Sequence, residues 1–203
     1  MNLKDFKSKY NLRTPIKHGE THVQGWQSDS SVFTDVIKKY KPQSIIEVGS
    51  WLGASALHMA SLMKDTDFNI ICVDTYLGSN SALWDDYNRD LVNNFSAIYD
   101  QFSINITSHY LNDQISPLPM TSSAAAELLK SNHVLVDMVY IDAGHRYRDV
   151  LADLQDWYPI ATKVVVGDDY SPVWPGVQDA VKDFTQSMNI SYQERDQKFI
   201  IGK

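Results

Sequence analysis

The chain has 203 residues, of which 43% are hydrophobic and 21% charged, with a formal net charge of -7. That length supports a domain with a real core, and the negative balance, with no Lys/Arg-rich run, argues against a nucleic-acid phosphate backbone as partner. The lone Cys72 excludes an internal disulfide, no apolar stretch approaches the ~20 residues of a membrane helix, and the charged Met1–Tyr10 start has no apolar signal core, so a soluble, intracellular, cytoplasmic protein is expected.

Met1–Gln27 carries Pro15, Gly19 and Gly25, shows no clear period and reads as an arm or lid. Two readings stay open for it: a segment packed on the domain surface, or a cover over a substrate. Val32, Phe33, Val36, Ile37 and Tyr40 have helical spacing within Asp29–Tyr40, and Lys41-Pro42 ends that helix. A strand is predicted over Ser44–Val48, then a turn with Gly49 and Gly53, then a helix over Gly53–Met63. Asn69–Val73 is a second strand ending at Asp74, followed by a loop over 75–81. Apolar and aromatic spacings of three and four, Trp84 among them, predict one or two helices over Ala82–Ser108. Tyr110–Leu118 carries a third strand, Ser122–Lys130 an alanine-rich helix, and Asp137–Ile141 a fourth strand. Tyr147–Tyr158 reads as an amphipathic helix with Val150, Leu151, Leu154 and Trp157 on one face. Val164–Val166 is a fifth strand, Pro172–Gly176 a loop, and Val177–Met188 a helix. Ile190–Glu194 and Lys198–Gly202 close the chain as a strand pair.

Strands alternating with helices, then a hairpin, predict an α/β fold: a mainly parallel seven-stranded sheet, an antiparallel last strand and helices on both faces. No repeat or linker interrupts the chain, so one domain over 1–203 is expected, with the arm and first helix over 1–43 and the core over 44–203.

Open sheets of this kind bind ligands at the C-terminal ends of their strands. Here those ends carry Glu47 and Gly49, Asp74, Asp142 with His145 beyond it, and Asp168 with Asp169. Each acid alone also reads as a helix cap. Together on one rim they call for partners, and ribose hydroxyls or a metal ion are the two that suit them. Asp74 follows the glycine turn by roughly 25 residues, near where an acid takes ribose hydroxyls in dinucleotide enzymes. The turn itself, Gly49-Ser-Trp-Leu-Gly53, holds Trp51 and Leu52 where a pyrophosphate needs the closest backbone. A ligand with ribose but no diphosphate at that place is expected, and a nicotinamide dehydrogenase is disfavoured.

With Glu47-Val-Gly-Ser-Trp-Leu-Gly53 in the first motif, the sequence resembles the class I S-adenosylmethionine-dependent methyltransferases. Cys-Val-Asp-Thr-Tyr-Leu-Gly-Ser (72–79), Pro-Leu-Pro-Met-Thr-Ser (117–122), Tyr-Ile-Asp-Ala-Gly-His (140–145) and Gly-Asp-Asp-Tyr (167–170) look like the small-molecule O-methyltransferases of that class. The resemblance spans roughly Ile45–Lys203. It implies the Rossmann-like methyltransferase sandwich and S-adenosyl-L-methionine as methyl donor. The cofactor-facing set implied is Glu47, Gly49, Ser50, Trp51, Gly53 and Ser55 around the turn, Asp74 and Thr75, Thr121 and Ser122 at the adenine, and Asp142.

Asp142, Asp168 and Asp169 match the metal-ligand positions of the divalent-metal-dependent branch, whose catechol and macrolide-sugar types methylate hydroxyls. Hard oxygen ligands suit Mg²⁺. The catechol type carries asparagine where Asp169 stands and a lysine base where His145 stands; the sugar type carries histidine there. The resemblance thus implies His145 as the base, with Asp142 as a less favoured substitute, and a small hydroxylated acceptor such as a sugar or natural product. The other reading of His145 is a cap of the following helix or a contact to the methionine carboxylate. Tyr170 and Trp174 are candidate substrate contacts, Trp174-Pro175-Gly176 forming a wall. No nucleic acid or membrane partner is expected, and a homodimer is the candidate assembly. Two alternatives stand beside this reading: a non-catalytic adenosyl-binding protein, and an iron-dependent enzyme resembling cephalosporin hydroxylases. The second would call for two histidines and a carboxylate, where the strand ends supply aspartates and one histidine.

Overall fold

The computed structural model describes residues 1–78 and 97–203. Its elements run α1 (Leu3–Lys9), α2 (Ser31–Tyr40), β1 (Ser44–Val48), α3 (Ala54–Leu62), β2 (Asn69–Asp74), α4 (Ala97–Ser108), β3 (Ile115–Pro119), α5 (Ser122–Ser131), β4 (Val136–Ile141), α6 (Tyr147–Trp157), β5 (Ala161–Gly167), α7 (Pro175–Met188), β6 (Gln193–Arg195) and β7 (Lys198–Gly202). The helix expected over Ala82–Ser108 is present from Ala97; its earlier part, with Trp84, lies outside the described residues.

The seven strands form one sheet in the order β3-β2-β1-β4-β5-β7-β6. All neighbours from β3 to β5 are parallel, and β7 runs antiparallel to both β5 and β6. The parallel strands are nearly continuous apolar runs because helices cover both faces. One face packs Phe6 of α1, Leu129 of α5, Trp157 of α6 and Phe184 of α7 against Ile46, Val48 and Val139. The other packs Phe33 of α2, Met59 of α3 and Phe102 of α4 against Ile45, Ile70 and Tyr140.

The chain reverses its direction of travel across the sheet between β1 and β4, which lie side by side with Val48 opposite Ile141. Loops leaving two such strands diverge to opposite faces and open a crevice between them. The order of elements therefore places the glycine turn and the segment after Ile141 together.

Local signals explain the boundaries. Ser30 caps α2, accepting from the Val32 amide, and Lys41 ends it in the left-handed region. Pro175 opens α7, where its missing N–H costs nothing. The arm departs from expectation, because it begins with a helix. Asn2 accepts from the Asp5 amide, and Leu3 and Phe6 are buried. With two apolar residues in seven, that turn of helix is too short to show a period.

Candidate functional site

The site begins with the turn after β1. Gly49 has φ +85°, and a Cβ there would lie 2.0 Å from the Asp142 carbonyl oxygen, so glycine is required both by the backbone angle and by the neighbouring strand end. Trp51 is also left-handed, at φ 47°. Asp74 secures this turn. Its Oδ2 accepts from the amides of Ser50 and Trp51, each at 2.9 Å, while its Oδ1 accepts from the Tyr76 amide at 2.7 Å. A carboxylate offers about four acceptor positions. Among the described residues three are taken by backbone amides, which leaves one on Oδ1.

Over the ends of β1, β2 and β4 lies a cavity of about 810 Å³. Of the residues expected in the site, Gly49, Ser50, Trp51, Ser55, Asp74, Thr75, Thr121, Ser122, Asp142, His145, Asp168, Asp169 and Trp174 line it. Glu47, Gly53 and Tyr170 do not. Glu47 is fully buried below the turn, accepting from Ser55 Oγ and from Cys72 Sγ at 3.3 Å. Burial pushes its carboxyl up to about 7, against the pull of the Ser55 hydrogen bond. Gly53 is the left-handed residue before α3, packed over Phe102. Tyr170 is core: it packs on Phe199, and its hydroxyl meets that of Tyr192 at 2.6 Å.

At the start of α5, Ser122 Oγ donates to Asp153 and accepts from Trp157 Nε1 at 2.8 Å. Asp153, buried on α6, has its carboxyl raised by desolvation to about 6. Asp153 was not foreseen, although it shares the helix stripe of Val150, Leu154 and Trp157. An acid in an apolar stripe is a signal for a buried polar contact.

The arm forms another wall, with Gln24, Gly25, Trp26, Gln27 and Ser28 against the cavity. Trp51 Nε1 donates to Gln24 Oε1 at 2.8 Å, tying arm to glycine turn. Nothing in the sequence around Gln24 announces this pairing.

The rim after β4 and β5 holds the acids and the histidine. His145 Nε2 and Asp169 Oδ2 are 2.7 Å apart, and Trp174 stacks on the imidazole with ring centroids at 4.2 Å. Asp169 is left-handed at φ 58°, its amide donating to Asp168 Oδ1 at 2.8 Å. Asp168 Oδ2 receives the buried Lys198 ammonium at 2.5 Å and the Tyr140 hydroxyl at 2.7 Å. Tyr140 also reaches Asp142 Oδ2, at 3.2 Å. Desolvation, then the charges of Asp168 and Asp169, raise the Asp142 carboxyl well above the usual range.

Among the described residues, the side chains that come close enough to share an ion are Asp142, His145 and Asp169, with ligand atoms within 4.8 Å of one another. Asp168, expected as a ligand beside Asp142 and Asp169, is outside that group because Lys198 and Tyr140 hold its Oδ2. Lys198 was also not foreseen: a lysine that follows a polar turn and opens a strand reads as solvated.

No curated protein matches the sequence. Solved structures share the fold at low identity. The TDP-rhamnose 3'-O-methyltransferase CalS11, an enzyme in calicheamicin biosynthesis, aligns at TM-score 0.58 with 18% identity over 89% of this chain and 81% of its own. The O-methyltransferase NovP aligns at 0.56 with 18% identity, over 84% and 76%. An O-methyltransferase from Bacillus cereus, in complex with SAH, aligns at 0.57 with 11% identity, over 98% and 88%. No helix among the described residues is long and apolar enough to cross a membrane. The model of a methyltransferase domain matches residues 46–170, from β1 through the paired acids after β5. The chain belongs to that family and is an S-adenosylmethionine-dependent methyltransferase.

Proposed function

We propose that the protein methylates a hydroxyl oxygen of a small molecule, such as a sugar or natural product, with His145 as the base. The observation that carries this reading is the His145–Asp169 pair on the rim of the cavity over the glycine turn. A concave site of this size suits a donor and a small acceptor better than a macromolecule. CalS11 and NovP, both O-methyltransferases by name, share the fold and lend the acceptor class.

The lining residues fit S-adenosylmethionine. Asp74 retains one acceptor position at the end of β2, and Gly49, Ser50 and Trp51 form the turn beside it. Thr121 and Ser122 line the cavity, and the adenine would lie against them. When bound, this donor supplies an electrophilic methyl group whose carbon–sulfur electron pair returns to sulfur as the new carbon–oxygen bond forms. His145 Nδ1 takes the acceptor's hydroxyl proton while Nε2–H donates to Asp169. Asp169 fixes the tautomer and offsets the charge that develops on the imidazole. Trp174 holds the ring from its face. Nothing covalent forms with the protein, and positioning carries much of the acceleration.

The Mg²⁺ expectation rests on Asp142, Asp168 and Asp169. Asp168 is paired with Lys198, and Asp169 with His145, so two of the three carboxylates are committed within the protein. The residues do not fit an all-aspartate Mg²⁺ set, and no step runs through an ion.

The test is an acceptor screen by mass spectrometry with S-adenosylmethionine, looking for a gain of one methyl group. Calorimetric titration with S-adenosylhomocysteine accompanies it. Absence of binding overturns the methyltransferase reading of this pocket. Turnover by His145→Ala at the wild-type rate overturns the base.

A further inference from the structure

Lys198 is a fully buried basic residue near the site. Its side chain has no solvent exposure, and it opens β7, the strand that pairs antiparallel with β5. Its ammonium meets Asp168 Oδ2 at 2.5 Å and lies 5.4 Å and 5.7 Å from the ring centroids of Phe33 and Tyr140. The same Asp168 oxygen accepts from Tyr140, and Oδ1 accepts from the Asp169 amide. Three donors thus fix one carboxylate at the end of β5, where it also lines the cavity.

A buried lysine next to a carboxylate is retained only when the pair is well made, because either charge left alone in the interior is severely penalised. This pair is closely made, and the Phe33 and Tyr140 rings flank the ammonium. A divalent ion bound to Asp168 would have to share the carboxylate with that ammonium or strip its partner away. Both arrangements place two positive centres together in a region shielded from water, where charges interact strongly.

The pair also sets the geometry of the base. Asp168 holds the Asp169 amide, Asp169 adopts its left-handed backbone, and its carboxylate turns to His145 Nε2. The order of contacts runs from β7 through β5 to the segment after β4. Lys198 does not line the cavity and reaches it only through Asp168, so it is a positioning residue.

We propose that Lys198 is the resident cation of the acidic rim, excluding a divalent ion from Asp168 and fixing Asp169 against His145, so that methyl transfer here needs no metal. This rests on the methyl-transfer reading of the same pocket. The step balances without an ion: the hydroxyl proton goes to His145, the carbon–oxygen bond forms, and the carbon–sulfur pair returns to sulfur.

Metal binding tests it without any acceptor. Wild-type protein with S-adenosylhomocysteine is titrated with Mn²⁺, free ion being read by electron paramagnetic resonance, and separately with MgCl₂ by calorimetry. No stoichiometric binding is expected up to about 1 mM free ion. Lys198→Met removes the charge at similar volume and leaves Asp168 Oδ2 with the neutral Tyr140 hydroxyl alone, and it is expected to gain Mn²⁺ affinity by at least about tenfold. Should that variant not fold, Lys198→Gln, which keeps a donor toward Asp168, carries the same expectation. One equivalent of Mn²⁺ or Mg²⁺ bound by the wild type below that concentration overturns the proposal. So does a folded Lys198 variant with lowered melting temperature and no gain in ion affinity, because Lys198 is then structural only. Failure of the methyltransferase reading shows separately, as absence of S-adenosylhomocysteine binding.

Discussion

Asn105, fully buried on α4, donates through Nδ2 to the Leu52 carbonyl in the glycine turn at 2.9 Å. The same amide closes on the arm, donating to the His22 carbonyl at 2.9 Å and accepting from the His22 amide at 3.0 Å. Gln101 donates to its oxygen as well. One side chain therefore ties the arm to the turn from below, while Gln24 and Trp51 tie them from the cavity side.

Asn105→Leu keeps the volume but leaves the Leu52 carbonyl and both His22 backbone groups without their partner. The Leu52 bond is buried and the His22 bonds only partly so, and a buried polar group left unsatisfied costs roughly 1–3 kcal/mol, so a destabilisation of about 2 kcal/mol is expected. Chemical denaturation measures it. The arm around residues 11–28 should also become sensitive to limited proteolysis before the core does. Equal protection of arm and core in the variant would show that other contacts hold the arm.

Glu47 makes stability depend on pH. Its carboxyl is pushed up to about 7 in the folded protein from the ordinary 4.5, because burial disfavours the charge. The folded state then binds more protons than the unfolded one above the unfolded value, so stability falls as pH rises from about 4.5 through about 7. The full effect is on the order of 3 kcal/mol. Asp142 and Asp153, also raised, act in the same direction. The measurement is therefore a difference: Glu47→Gln should lose stability less steeply than wild type between pH 5 and pH 8, by about 3 kcal/mol. Parallel curves would mean that Glu47 is charged in the fold at a cost met elsewhere.

Asp74→Asn should weaken S-adenosylhomocysteine binding about tenfold or more, because one of its oxygens becomes a donor facing backbone amides. Either the Ser50 and Trp51 amides or the Tyr76 amide loses its acceptor. The turn loosens even where the ribose contact survives. Calorimetry reads the affinity, and thermal melting without ligand reads the turn. Loss of affinity with an unchanged melting temperature would assign Asp74 to the ligand alone.

The sheet was legible because its strands are short apolar runs bounded by Gly, Pro and acids, and because strand and helix alternate. Acids at the strand ends marked the rim for the same reason. Strand parity would have corrected Glu47: it alternates with Ile46 and Val48 and sits opposite Cys72, so it faces α3 with Ile45 and lies beneath the turn. Tyr170 and Trp174 look alike in sequence, four residues apart in one loop. Only the packing of Phe199 and Tyr192 makes the first core and leaves the second on the cavity wall. Lys198 and Asn105 were illegible because their partners are more than 25 residues away, and a polar residue in an amphipathic element reads as its wet face.

Asp169→Asn separates the two roles of the rim. Asparagine tolerates the left-handed backbone that Asp169 adopts at φ 58°, and its amide oxygen can still accept from His145 Nε2–H, so the ring stays in place. What is lost is the negative charge beside the imidazole as it takes the acceptor proton. With an acceptor from the screen, kcat should fall about 10²–10⁴-fold, the range of a positioned proton transfer. Affinity for S-adenosylhomocysteine should stay unchanged, because Asp169 lies with His145 and Trp174 rather than with Asp74 and the glycine turn. The conservative partner variant, His145→Gln, should fall by a similar factor, and the double variant no further than the worse single one, since the two residues act as one unit. Additive losses in the double variant would mean that Asp169 serves the reaction through some other contact.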